Sequence, residues 1–155
     1  MTPLSNNCNE QAALVVEIRD WGRLLGFQQI AIALPETGAA AGRLHQWLDL
    51  GYHGSMNYMA RHAGLRACPA DLVPGVKSII TARMDYLPEP QSAAWATLED
   101  PRRGYIARYA LGRDYHKVLR RRLKQLAQRL EARAGPLGYR VFSDSAPVME
   151  KSLAA

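Results

Sequence analysis

Tyr105, Tyr109 and Tyr115 are interleaved with Arg108 and Arg113, and His116 follows directly. Flat apolar faces beside cations suit a nucleic-acid base or a planar macrocycle; ordinary core packing of amphipathic tyrosines suits the same pattern equally well. Asp144 lies between an expected strand and a helix expected to open at Pro147, a place from which a carboxyl can project into a cleft at a sheet's end. There it would serve as a proton donor if burial or a negative neighbour raised its pKa. The plainer alternative is a turn or capping Asp that bonds the amides of Ala146 and its neighbours. His53 and His62 flank a short segment nine residues apart, which is no helical metal pair, so they and His116 read as surface or hydrogen-bonded histidines. Cys8 and Cys68 stand 60 positions apart without any Cys-x-x-Cys. That is too little for a disulfide framework, a zinc site or an iron–sulfur cluster built from this chain alone.

Charge is segregated along the chain. Between Arg102 and Arg140 there are 12 basic side chains and two acidic ones, a net of +10, whereas the 101 residues before hold seven basic and ten acidic side chains. A field of this asymmetry draws a polyanion, and Arg suits bidentate phosphate contacts, so nucleic acid or a phosphate-bearing cofactor is the natural partner. An arginine-rich helix with a solvated face is the competing reading.

The elements that must position these residues alternate between helix and strand. Leu14, Ile18, Trp21 and Leu25 have amphipathic spacing, predicting a helix over Asn9 to Leu25 that Gly26 ends. Phe27 to Leu34 and Lys77 to Arg83, rich in Ile, are predicted strands. Between them, Leu44, Trp47 and Leu48 mark a helix closed by Gly51; Met56 to Arg61 forms a short one and Pro69 to Leu72 one more turn. The region of Pro88 and Pro90 reads as a loop. Gly104 to Ala110 alternates like a short strand, although a helix is possible, and Tyr139 to Phe142 reads as another strand. Asp114 is the expected N-cap of the longest helix, in which Leu119, Leu123, Leu126 and Leu130 make the core stripe, and Gly135 with Pro136 stops it. A terminal helix from Pro147 has about two turns before Ala155, with Val148, Met149 and Leu153 lacking a packing surface, so the chain reads as cut short.

With 155 residues, 48% hydrophobic and 22% charged, the chain has the length and balance of one folded domain, not a disordered or fibrous segment. No apolar run approaches the roughly 18 residues of a membrane span, and Met1 to Asn9 lacks an export signal, so the expected location is the cytoplasm. The expected architecture is α+β (or α/β), helices on a small mixed sheet with a cofactor cleft at one edge.

The segments WGRLLGFQQIAIA (Trp21 to Ala33), WLDLGYHGSMNYMARH (Trp47 to His62), LVPGVKSIITARMDY (Leu72 to Tyr86), GYIARYALGRDYHKVLRRRLKQLA (Gly104 to Ala127) and FSDSAPVMEKSLA (Phe142 to Ala154) resemble, in order and spacing, the N-terminal half of epoxyqueuosine reductase. The resemblance implies an oxidoreductase that removes the epoxide oxygen of epoxyqueuosine in a tRNA anticodon loop, the last step of queuosine synthesis. It implies a cobalamin bound base-off and two [4Fe–4S] clusters, the clusters held by a ferredoxin-like region that these 155 residues do not contain. By the same resemblance residues 1–155 form a cobalamin-binding domain, truncated and inactive alone, and monomeric. It makes Asp144 the proton donor and places Tyr105, Arg108, Tyr109, Gly112, Asp114, Tyr115, His116 and Lys151 toward the corrin and tRNA. Arg113, Lys117, Arg120, Arg121 and Lys124 then meet tRNA phosphates. Lys151 stands where the family pattern D-S-A-P-x-x-E-R has Arg, which keeps the charge and loses the planar fork. A basic RNA-binding module without cofactor, or an inert fragment, are the other two readings.

Overall fold

The computed structural model describes residues 4–87 and 89–154, with side chains from Asn9 onward. Pro88 of the expected loop, the Cys8 thiol, Met1 to Pro3 of the expected polar start and the terminal Ala155 lie outside the described residues. The chain divides into two compact units, residues 1–29 with 83–143, and residues 30–82 with 144–155.

The first unit is built on two long helices, α1 (Leu4–Leu24) and α7 (Tyr115–Ala134), which pack on each other. Each carries the apolar stripe its spacing requires. Leu14, Ile18, Trp21 and Leu25 are buried or half-buried, as are Leu119, Leu123, Leu126 and Leu130, with Ile18 and Leu126 only 3% exposed. Removing such stripes from water is the main favourable term holding two otherwise polar helices together. An exposed-side ion pair, Arg133 Nε to Glu17 Oε2 at 3.1 Å, joins the same helices. At the end of α1 the Phe27 N–H donates to the Gly22 carbonyl and the Gly26 N–H to the Arg23 carbonyl. This six-to-one, five-to-two pattern needs a left-handed residue, and Gly26 supplies it with φ 84°. The turn also seats Phe27, 2% exposed. α7 begins at its expected cap, Asp114, whose Oδ1 accepts the His116 N–H at 3.0 Å, and stops at Gly135.

The second unit holds α2 (Ala39–Asp49), α3 (Asn57–Arg61), α4 (Ala63–Ala67), α5 (Pro69–Leu72) and the single turn α8 (Glu150–Leu153). α4 packs against α2, α3 and α5. Buried Thr37, in the loop before α2, donates its Oγ1 hydrogen to the Ala67 carbonyl at 2.6 Å. Ala40, Ala63 and Leu153 supply buried apolar groups, and Ile30 of β1 (Gln29–Ala33) is 8% exposed. β1 pairs with β2 (Ile79–Arg83). The Gln28 N–H donates to the Arg83 carbonyl at 2.9 Å. Because the start of one strand thus meets the end of the other, the pair is antiparallel.

The α+β class and the two Ile-rich strands match expectation; other local assignments do not. The sheet is a two-stranded antiparallel pair, not mixed. Gly104 to Ala110 forms no strand: it is irregular chain ending in a 3₁₀ turn over Arg108–Ala110. Tyr139 to Phe142 forms no strand, so Asp144 does not follow one. Apolar alternation alone makes no ladder when no neighbouring strand supplies the hydrogen bonds. The last helix starts at Glu150 rather than Pro147. Two helices carried no clear periodic signal: five-residue α4, and α6 (Gln91–Glu99), none of whose residues is buried.

Candidate functional site

The start of α7 is where the expected aromatic and cationic residues gather. Asp114 does two jobs with one carboxylate. As N-cap it satisfies an orphan helix N–H, and its Oδ1 also lies 2.9 Å from Nδ1 of His116. The His116 side chain, then its backbone N–H, hold the Asp114 carboxyl below the usual carboxylate range against the opposing effect of desolvation. The pairing fixes the imidazole orientation through Nδ1, as a carboxylate partner does in general. The Tyr115 ring stacks on it with centroids 4.0 Å apart, and Tyr109 meets Tyr115 edge-on at 6.1 Å. Asp114, His116, Tyr115 and Tyr109 therefore form one connected group.

Arg108, at the start of the 3₁₀ turn, is paired with Glu89 and its guanidinium is 22% exposed. The Glu89 hydrogen bond raises the Arg108 pKa above its ordinary value, and the nearby Tyr105 phenol acts in the same direction. Tyr105 and Tyr109 remain 43% and 58% exposed, so their ring faces are not consumed by core packing.

Among the α7 cations, Arg113, just before the helix, and Lys117, Arg120, Arg121 and Lys124 are exposed. Arg120 donates Nε–H to the His116 carbonyl at 3.2 Å, while Arg113, Lys117, Arg121 and Lys124 have no ion pair among the described residues. Arg122 behaves differently. It is partly buried, with its Nη1 3.5 Å from Met84 Sδ and close to Gly26, where an added Cβ would lie 2.5 Å from that nitrogen. The Arg120–Arg121–Arg122 run is thus split between solvent and packing.

Asp144 and Lys151 belong to the second unit. Lys151 is exposed on α8. Asp144 is exposed and left-handed, with φ 55°, and its N–H donates to Glu150 Oε1 at 3.1 Å. Neither Glu150 nor Glu89 was among the expected site residues. Glu150 had a usable signal, six residues after the acid and at the start of a helix; Glu89, 19 positions before Arg108, had none. Two shallow cavities of about 320 Å³ lie elsewhere, one against Leu25, Gln125 and Arg129, the other against Leu44, Trp47 and Met149. Neither is lined by the expected cofactor residues.

The family model described as epoxyqueuosine reductase QueG, DUF1730, matches residues 66–145, about half of the chain. The chain belongs to the epoxyqueuosine reductase family. It is 51% identical over 154 residues to the epoxyqueuosine reductase of Pseudomonas aeruginosa, covering 98% of this chain and 42% of that protein. It is 49% identical over 142 residues to the one from Escherichia coli, covering 91% and 37%. A crystal structure of a selenomethionine-labelled epoxyqueuosine reductase superposes with a TM-score of 0.75 at 23% identity, over 92% of this chain and 38% of that one, which shows a shared fold. The chain therefore spans about two-fifths of the length of these curated epoxyqueuosine reductases. The matched segment contains the Tyr105 to Lys124 stretch and Asp144, and ends before Glu150 and Lys151.

A [4Fe–4S] cluster takes four cysteine ligands and this chain has two cysteines, so its residues do not fit one. Among the described residues no group of three or more His, Cys, Asp or Glu is placed to hold a metal ion. For a corrin the chemistry differs. The exposed faces of Tyr105 and Tyr109, near Arg108, would suit a planar macrocycle fringed with amides and a phosphate.

Proposed function

We propose that this chain is the cobalamin-holding part of an epoxyqueuosine reductase, working in the cytoplasm as a monomer on epoxyqueuosine in a tRNA anticodon loop. The observation that carries the reading is near 50% identity, across more than nine-tenths of the chain, to proteins of that name. No helix among the described residues is long and apolar enough to cross a membrane.

Converting an epoxide to an alkene consumes two electrons and two protons and releases water. A bound corrinoid would supply the carbon-directed reducing chemistry, with the two electrons coming from a separate reductant. Asp144 holds a proton at the epoxide oxygen, making it a better leaving group as the carbon–oxygen bond breaks. Tyr105, Arg108, Tyr109, Tyr115, His116 and Lys151 would hold the cofactor, the tyrosines by their apolar faces and the cations and imidazole by hydrogen bonds. Arg113, Lys117, Arg120, Arg121 and Lys124 bind tRNA phosphates. Asp114 keeps His116 oriented for its contact.

The test replaces the matching segment of the Pseudomonas aeruginosa enzyme with this chain. The chimera should bind cobalamin, seen as its visible absorbance, and convert epoxyqueuosine to queuosine in tRNA. Asp144→Asn should lower kcat by about 10²–10⁴ with the corrinoid spectrum unchanged. A chimera that folds but stays colourless with cobalamin overturns the cofactor reading, and an undiminished kcat in the Asn variant overturns the proton donor. The exposed, unpaired α7 cations favour a second reading, a tRNA-binding module without cofactor, which predicts tRNA binding by that same colourless chimera.

A further inference from the structure

Asp144 is the one non-glycine residue with positive φ among the described residues, at 55°. Left-handed backbone is unfavourable for an L-residue, less so for Asp, so something must select it over the extended alternative. The contacts around it identify what does. The Asp144 N–H donates to Glu150 Oε1 at 3.1 Å, closing a loop across Ser145, Ala146, Pro147, Val148 and Met149. The loop is drawn in by a tight turn, Val148 N–H to the Ala146 carbonyl at 2.8 Å. Its far end is anchored because Glu150 begins α8, whose Ser152 and Leu153 amides bond the Met149 carbonyl and whose Leu153 is 3% exposed. Burial of Leu153 thus fixes α8, α8 fixes Glu150, and Glu150 receives the amide of the strained residue.

We propose that Glu150 is a positioning residue, whose side-chain oxygen holds the Asp144 backbone left-handed and so sets the direction of the Asp144 carboxyl. This deepens, and rests on, the assignment of Asp144 as proton donor. Desolvation raises the Glu150 carboxyl pKa, the Asp144 N–H bond opposes it, and the Asp144 carboxyl, by its charge and a side-chain hydrogen bond, adds to the rise, so the two residues meet through both backbone and side chain. What the role requires of Glu150 is an acceptor at Oε1, not its charge, so Gln can replace it and an apolar side chain of similar length cannot.

The test uses the full-length chimera. Glu150→Met should lower kcat about tenfold or more, the penalty of a misplaced reacting group, with KM for tRNA, the corrinoid spectrum and Tm unchanged. Glu150→Gln should restore kcat to within about threefold of the parent. An unchanged kcat in the Met variant, or a Gln variant as slow as Met, overturns the proposal. Amide exchange at Asp144 supplies a readout independent of turnover, even where the Met variant folds poorly. Protection should be present in the parent and in Glu150→Gln; fast exchange at that amide in the parent overturns the proposal. If Asp144→Asn is fully active while Asp144 exchange behaves as stated, the proton-donor assignment fails and the backbone contact stands.

Discussion

Asp114 shows how one side chain serves both folding and the candidate site. Its carboxylate caps α7 and orients His116, and both contacts favour the charged form, so its folded pKa lies below the unfolded one. A depressed carboxyl contributes stability above the unfolded pKa and loses it as pH falls through the folded value. The stability of the parent should therefore fall as pH drops from the ordinary carboxylate range through the depressed folded value. Asp114→Asn keeps a capping oxygen and removes the titration, so its thermal midpoint should fall less over the same acid interval; equal slopes would refute the linkage. Arg122 makes the complementary point. Of three consecutive arginines, the Arg122 guanidinium packs beside Gly26 and Met84 while Arg120 and Arg121 stay exposed.

At the scale of the element, α7 is amphipathic in both senses. Its leucines meet α1, and its exposed cations recur at spacings of three and four residues that align them along one side of the helix. Side chains so placed can follow a phosphate backbone without reading sequence. Lys117→Ala and Arg121→Ala should each weaken tRNA binding several-fold at low salt and reduce the dependence of log K on log salt by about one. Retention of the parental salt slope in the double variant would remove α7 from the interface. By contrast α6 turns Trp95 and Leu98 outward at 57% and 53% exposure, with Ala93, Ala94 and Thr97 more covered. Its helicity accords with the helix-favouring Gln, Ala, Leu and Glu of its sequence, without an apolar stripe to announce it.

For the molecule as a whole, the division into two units has an energetic consequence. Ile18, Phe27 and Leu126 are the buried apolar groups of one unit, and Ile30, Ala40, Ala63 and Leu153 those of the other. Leu126→Ala should cost about 2–5 kcal/mol from lost burial and the cavity left behind. Amide exchange in α1 and α7 should accelerate, with the amides of α2 and α4 keeping their parental rates. Uniform acceleration would mean that the units open together. The family relationship also belongs to this scale, because it rests on order and spacing over most of the chain rather than on any local cluster.

Much of the scaffold was legible because its signals are local. Leucine spacing located α7, a carboxylate located its cap, glycines located the ends of α1, α2 and α7, and Ile-rich runs located both strands. The gathering of Tyr109, Tyr115 and His116 followed from that cap, since all lie within a few residues of it. What tertiary structure alone decided depends on partners distant in sequence. Gly104 to Ala110 and Tyr139 to Phe142 have strand-like patterns, but a strand exists only where a second one pairs with it. Glu89 on Arg108, the inward turn of Arg122, and the left-handed Asp144 tied to Glu150 are likewise contacts that composition and periodicity do not encode. Sequence determined which groups were available; packing decided which of them were already engaged.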